Sequence, residues 1–418
     1  MTPQSKTPIG HDVQNPQRGN SKIETDNLTP LIRRVLRIDD TTWGTAQQGF
    51  LVRYRGKLYL DSEAAYDQLA EALQPHDVTP IFRLEDGRQT ILLIRGVVRP
   101  KPSNPWVNAG LFLLTLLSVL FAGALYNYEG PVTGNTLTDI KNILANLGTG
   151  WPFAVSMLAI LTAHEFGHYL AARYHKTAVT LPYFLPFPLS PFGTMGAFIQ
   201  LKQPPKNKRI LLDIGVAGPL AGLVVAIPVL IIGLYTSEVS KIPLVLPPGQ
   251  IFEGNSLLYL LLKYIIHGNL LPQPVHFGGI SPALYWIRYF FTGMPLPTGG
   301  LDVTINSVAW AGWAGLLVTA LNLIPVGQLD GGHLIYGLLG VRARKIRPFI
   351  LGGLLLMGLV WSGWWLWAFL IFLMGGVHAE PLDQITPLDQ RRKAVAILGL
   401  IIFILVFTPV PLAGALGG

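Results

Sequence analysis

Residues 161–174 read LTAHEFGHYLAARY, and WPFAVSMLAI precedes them, so His164, Glu165 and His168 sit inside a long apolar run. Ionisable groups at membrane depth are costly and mark functional sites. Their spacing is H-E-x-x-H. On a helix, residues four apart share a face, so both imidazoles can turn toward one ion. Zinc accepts imidazole nitrogen, and two histidines plus one further ligand leave a position open for water. Glu165, one residue past the first histidine, is placed to take a proton as water attacks a carbonyl. The competing reading is a helix end whose polar residues meet lipid headgroups. It is the weaker one, because the observed spacing already has a mechanism.

The whole chain is consistent with a membrane setting. Half of its 418 residues are apolar and only 13 % are charged, the balance of a polytopic membrane protein. Residues 1–100 hold 13 Lys/Arg and 12 Asp/Glu, whereas the remaining 318 hold 18 and 11. The first hundred residues therefore read as a soluble appendage. Most of the net +8 charge falls in the membrane part, where basic loops set topology. No basic stripe with interleaved aromatics occurs, which excludes a nucleic-acid partner. There is no cysteine, hence neither a disulfide framework nor a thiolate metal site. Residues 1–27 lack an apolar core and read as a disordered tail rather than a secretory signal.

Residues 28–100 predict a small cytosolic α/β domain of order ββαββ. GFLVRYRGKLYLD alternates like a strand pair, with Arg55-Gly56-Lys57 as its turn. SEAAYDQLAEAL opens on a serine cap, and Asp86-Gly87 centres a hairpin. A linker, the first transmembrane helix and an outer loop occupy 101–149. Apolar runs near 106–126, 150–173, 210–235, 304–325, 348–376 and 394–413 each approach the roughly 20 residues a span needs. The prediction is thus a polytopic α-helical membrane protein of about six transmembrane helices. The basic stretches KQPPKNKR (202–209) and RARKIR (342–347) place both termini in the cytosol and an interfacial insertion, 236–303, outside. One stretch conflicts with this count. Arg391, Arg392 and Lys393 would fall on the outer side.

A third metal ligand has to come from elsewhere, and ALNLIPVGQLDGGH (320–333) supplies Asp330 beside Pro325, Gly327, Gly331 and Gly332. Broken backbone at membrane depth is tolerated only where it lines protein or a wet cavity. Both the His164 segment and the Asp330 segment reach the cytosolic half by span direction. His333 is an alternative ligand with a helix-capping or supporting role as its rival. Asp302, Asp383 and Asp389 lie at predicted outer ends and are poorer candidates. FGTMGAFIQL (192–201) reads as a strand pair between two spans.

His164–His168, VAGPLAG (216–222) and NLIPVGQLDGG (322–332) together resemble the site-2 protease family of intramembrane zinc metallopeptidases. The wording is most similar to the PDZ-less branch that includes plastid proteins of the ethylene-dependent gravitropism-deficient yellow-green type. The resemblance implies a three-helix metalloprotease core over 150–340, with 341–418 supplying C-terminal helices. It implies one Zn2+ per chain held by His164, His168 and Asp330, with Glu165 acting on water. A short membrane-associated β-hairpin would pair substrate along Gly196, Ala197, Phe198 and Ile199 by edge addition. Gly218, Pro219 and Gly222 would permit close helix packing. Relatives often carry a polar residue where Gly222 stands, which leaves Asn322 as the side-chain donor to substrate or oxyanion, with a structural role capping the broken helix as its equal rival.

The implied activity is an intramembrane zinc endopeptidase whose partners are transmembrane protein substrates and the lipid bilayer. Two other classes compete. One is an inactive scaffold or chaperone of the same fold, against which every motif element is intact. The other is a metal-ion transporter, which requires ionisable groups at successive depths rather than one cluster. The N-terminal composition, neither Ser-rich nor Arg-rich, favours a prokaryotic plasma membrane over a plastid one, with the active site opening to the cytosol. Substrate identity and oligomeric state have no signal in the residues.

Overall fold

The structure is a computed structural model that describes residues 27–45, 47–131, 133–246, 251–374 and 380–414. The predicted tail therefore lies outside the described residues, apart from position 27. Two units are present.

The smaller unit comprises residues up to Val98 together with Leu382–Thr386. Helix α1 (Thr29–Val35) leads into β1 (Leu36–Trp43) and β2 (Val52–Leu58), then α2 (Ser62–Leu73), β3 (Val78–Glu85) and β4 (Arg88–Arg95). The antiparallel sheet has the order β1-β2-β4-β3, and apolar residues such as Ile32, Tyr54, Leu69 and Phe82 fill its core. Arg55-Gly56-Lys57 is not a turn but lies inside β2. Gly56 stands opposite Ile38, next to an irregularity in β1, and a Cβ there would sit 1.8 Å from the carbonyl oxygen of Arg37. The cap of α2 is Asp61, whose carboxylate accepts from the N–H groups of Glu63 and Ala64, and not Ser62.

Ser62 instead donates to Asp383 at 2.9 Å. The segment Leu382–Thr386 adds to the edge of β3. The N–H of Phe82 donates to the Leu382 carbonyl at 2.9 Å, and that of Gln384 to the Phe82 carbonyl at 3.1 Å. Asp383 is fully buried and also accepts from the N–H of Ile385 at 2.7 Å. It belongs to this unit's sheet edge rather than to the outer end of a span. Sequence order alone assigns 382–386 to the C-terminal helices, because pairing across some 300 residues leaves no local pattern.

The larger unit starts with α3 (Pro105–Tyr126) and α4 (Thr136–Ala145), followed by α5 (Trp151–Tyr174), which carries the H-E-x-x-H motif. A two-stranded hairpin, β5 (Tyr183–Pro186) and β6 (Thr194–Phe198), leads to α6 (Lys208–Tyr235). Within the 236–303 insertion, β7 (Glu238–Lys241) is followed by β8 (Ile251–Glu253), α7 (Leu257–His267) and α8 (Pro282–Thr292), and β9 (Leu301–Thr304) returns to pair with β7. Then come α9 (Ser307–Asn322), α10 (Asp330–Leu339), α11 (Arg347–Met357), α12 (Gly363–Met374) and α13 (Gln390–Val406). The core forms where α5, α6 and α9 pack, through Met157, Ile160, Leu223, Ala226, Leu230 and Trp313.

Among the described residues, α3 and α6 alone are long and apolar enough as single helices to cross a membrane. A third is counted if α4 and the run Leu147–Tyr174, bent by 70°, form one span. By that criterion the described residues do not reach a count of six. The run 304–325 becomes the 16-residue α9, and the described part of the run from 348 holds two antiparallel helices rather than one. Arg347, at the start of α11, donates to the carbonyl of Phe372 near the end of α12 at 2.9 Å. Uniform apolarity conceals that turn, which falls at Gly358–Ser362 between the two helices.

This helical hairpin also resolves the misplaced basic stretch. It returns the chain to the side it left, so α13 begins at the basic end of the unit. Arg392 pairs with Asp213 of α6, Arg209 donates to the Pro387 carbonyl at 2.9 Å, and Leu212, Leu334 and Leu388 share one apolar cluster. The stretches 202–209, 342–347 and 389–393 are therefore gathered at that end. At the other end of α13, β10 (Leu412–Gly414) pairs with β8 of the insertion. Residues 412–414 thus lie on the insertion's side, so a cytosolic C-terminal end and an outer insertion do not hold together.

Candidate metal centre

Helix α5 presents His164 and His168 one turn apart with Glu165 next to His164, all three buried where the helix packs against α6 and α9. Asp330 comes from the irregular connection after α9, where Pro325 and Gly327 interrupt the helix and α10 restarts at the aspartate itself. The structure brings the three predicted ligands together. Nε2 of His164 and Nε2 of His168 are 3.2 Å apart, and each lies 3.3 Å from Oδ2 of Asp330. Tetrahedral bonds of about 2.0–2.1 Å place their ligand atoms about 3.3–3.4 Å from one another. The triangle fits such an ion without rearrangement. Two imidazole nitrogens and one carboxylate oxygen are also the donor types such an ion takes. Among the described residues these three form the group that can hold a metal.

The orientation of His168 is set by α6. Its Nδ1 lies 2.7 Å from the carbonyl of Ile214. A carbonyl only accepts, so Nδ1 carries the proton and Nε2 presents its lone pair to the site. This contact is not legible in the sequence, because a backbone acceptor has no signature in residue type. Gly218 and Gly222 of the same helix make the approach possible. A Cβ at 218 would lie 2.0 Å from His168 Nε2, and one at 222 would lie 3.1 Å from His164 Nδ1. Pro219, inside α6, removes the N–H that would bond the carbonyl four residues earlier and loosens the helix there.

Asn322, the last residue of α9, has its side-chain nitrogen 3.3 Å from Nε2 of His164. It is therefore beside the converging donors. Gly196, Ala197 and Phe198 lie in β6, which pairs with β5 and has no other strand partner among the described residues. Ile199 follows directly, and its backbone N–H faces the Glu165 carboxylate. His333 does not join the ligand group but packs against Gly215 of α6. Asp302 pairs with Lys263 in the insertion, and Asp389 caps α13.

The helical core thus holds a two-histidine, one-carboxylate group with a glutamate beside it. Residues 152–361 match the sequence model of Peptidase family M50, and the chain belongs to that family, the site-2 proteases. It is 30 % identical over 342 residues to the rice protein named "Probable zinc metalloprotease EGY1, chloroplastic", covering 77 % of this chain and 53 % of the relative. The Arabidopsis thaliana protein of the same name is 29 % identical over 338 residues, 76 % of this chain and 56 % of the relative. "Probable zinc metalloprotease EGY2, chloroplastic" of Arabidopsis thaliana is 27 % identical over 387 residues, 90 % and 63 %. The chain thus spans about half to two-thirds of the length of these curated relatives. No solved structure matches it.

Proposed function

We propose that the chain is an intramembrane zinc endopeptidase that hydrolyses peptide bonds within or near the transmembrane segments of membrane proteins. One observation carries this reading: two imidazoles and a carboxylate converge beside a buried glutamate, which in turn faces the residue after an edge strand. His164, His168 and Asp330 would hold the ion. When bound, zinc supplies Lewis acidity toward water and a peptide carbonyl.

The remaining work belongs to the chain's own side chains and backbone. A peptide bond within a helix is shielded by its own hydrogen bonds, so substrate has to be held extended. The free edge of β6 does this by strand addition, with Gly196 to Ile199 alongside the substrate backbone. The Glu165 carboxylate takes the proton from the attacking water and returns it to the departing amide nitrogen. Asn322 donates from its side-chain amide to the oxygen that gains charge. The Ile214 carbonyl keeps the proton of His168 on Nδ1 throughout. Lys and Arg concentrate on cytosolic loops, so the basic end of the unit faces the cytosol and cleavage falls in that half.

Glu165→Gln tests the assignment. The variant should retain about one zinc per chain and cut a co-expressed single-span substrate at least about a hundred-fold more slowly. His164→Ala and His168→Ala should lose both metal and activity. Normal cleavage by Glu165→Gln would remove Glu165 as the base. An inactive scaffold predicts that none of these changes alters the abundance of any membrane protein.

A further inference from the structure

We propose that Asp213 is a positioning residue for the metal centre, acting through the Ile214 carbonyl on His168. This inference rests on the metal-site reading above. Asp213 lies near the start of α6, immediately before the residue whose carbonyl holds Nδ1 of His168. Its carboxylate is engaged from two other helices. His175, at the C-terminal cap of α5, places Nε2 at 2.9 Å from Oδ2. Arg392, in the first turn of α13, donates through Nε at 2.9 Å to Oδ1 and through a terminal nitrogen at 2.6 Å to Oδ2. Arg392 is itself fixed by Asp389, the cap of α13, at 2.5 Å.

The geometry makes two cross-links between α5 and α6. One joins His168 to the Ile214 carbonyl, and the other joins His175 to Asp213. On α5 the two histidines are seven residues apart, about 10.5 Å at 1.5 Å per residue. On α6 the partners are adjacent. Helical side chains tilt toward the helix N-terminus, so the Asp213 carboxylate reaches back toward the end of α5 while the Ile214 carbonyl reaches His168. The two bonds together fix both the rotation and the axial register of α6 against α5. The forked contact with Arg392 is the strong, geometrically demanding kind, and it stops Asp213 from turning to solvent. A small rotation of α6 would draw the Ile214 carbonyl away from Nδ1 and free the imidazole to change tautomer. It would also bring Gly218 or its neighbours against the ring, where no spare room exists.

A purely structural ion pair would change melting temperature without changing metal affinity, and this separates the two roles. The whole chain in detergent is titrated with zinc against a competing chelator, and its melting temperature is recorded on the same samples. Groups that orient metal ligands typically change affinity about ten- to a hundred-fold when lost. Asp213 acts one bond further out, so Asp213→Asn should weaken zinc binding about ten-fold. Asp213→Glu should restore part of the loss, and Arg391→Ala, at an exposed neighbour, should bind as wild type. Wild-type affinity in Asp213→Asn, or a loss no larger than in Arg391→Ala, overturns the inference. Should Asp213→Asn fail to fold, His175→Ala removes one contact and leaves the arginine pair. A several-fold weaker affinity then supports the role, and wild-type affinity overturns it. If the wild-type chain itself holds no zinc, the reading of the metal site fails first; loaded wild type with equally loaded Asp213→Asn sinks this inference alone.

Discussion

A methyl group on Gly218 would sit 2.0 Å from Nε2 of His168, the atom that faces the other two donors. No rotamer adjustment relieves that overlap, because the ring is held from its far side by the Ile214 carbonyl. Gly218→Ala should therefore lose zinc, with stoichiometry falling from about one per chain to near zero. At Gly222 the closest approach is 3.1 Å, to Nδ1 of His164, and Gly222→Ala should keep most of its metal. Metal analysis of the two purified variants side by side gives the answer; equal zinc in both would contradict the close approach.

Asn322 offers a second separation of roles. Loss of a side-chain donor to a developing oxyanion costs about 10²–10³ in kcat. Asn322→Ala should show a fall of that order with zinc content unchanged and KM nearly so. A variant that instead loses zinc would assign Asn322 to holding the break between α9 and α10.

The insertion carries a pH dependence of its own. Glu253 accepts from the Tyr259 hydroxyl at 2.8 Å, and the buried Lys263 pairs with Asp302 at 3.4 Å. Burial, and then the Asp302 carboxylate, push Glu253 up to about 7, against the pull of Lys263. An acid raised on folding favours its protonated form in the folded state. Its contribution to stability is complete below the unfolded value, about 4.5, and is lost as pH rises through 7. Hydrogen exchange at Gly254, whose N–H donates to the Pro411 carbonyl, should be better protected at about pH 6 than at about pH 8 after correction for intrinsic rates. Glu253→Gln should remove the difference.

Topology can be read directly, because the chain has no cysteine. Arg391→Cys and Ala413→Cys, made one at a time, place a thiol at either end of α13. A membrane-impermeant maleimide should label them from opposite sides of sealed vesicles. Labelling of both from one side would return residues 412–414 to the cytosolic face.

Legibility in the sequence divides by the range of the signal. His164, Glu165, His168 and Asp330 are readable because metal chemistry constrains residue type and spacing, and the break at Pro325 and Gly327 marks where the third donor enters. The Ile214 carbonyl is not readable, since any residue supplies a carbonyl. The turn between α11 and α12 is hidden because Trp361, Trp364 and their neighbours are as apolar as a span interior. Arg391, Arg392 and Lys393 are the clue to it: their charge conflicts with the six-span count, and the partner that explains Arg392, Asp213, lies 179 residues away. Asp383 is misplaced by sequence order for the same reason, its bond to Ser62 crossing 321 residues.

The docking of Leu382–Thr386 onto the N-terminal sheet has a practical consequence for anyone dissecting the protein. A fragment ending near residue 98 would lack the peptide that covers one border of its sheet, leaving the amide of Phe82 without its bond to Leu382 and its carbonyl without the one from Gln384. Grafting this module onto another protein requires carrying five residues from some 300 positions further along the chain, and a chimera built by swapping contiguous blocks would join mismatched halves.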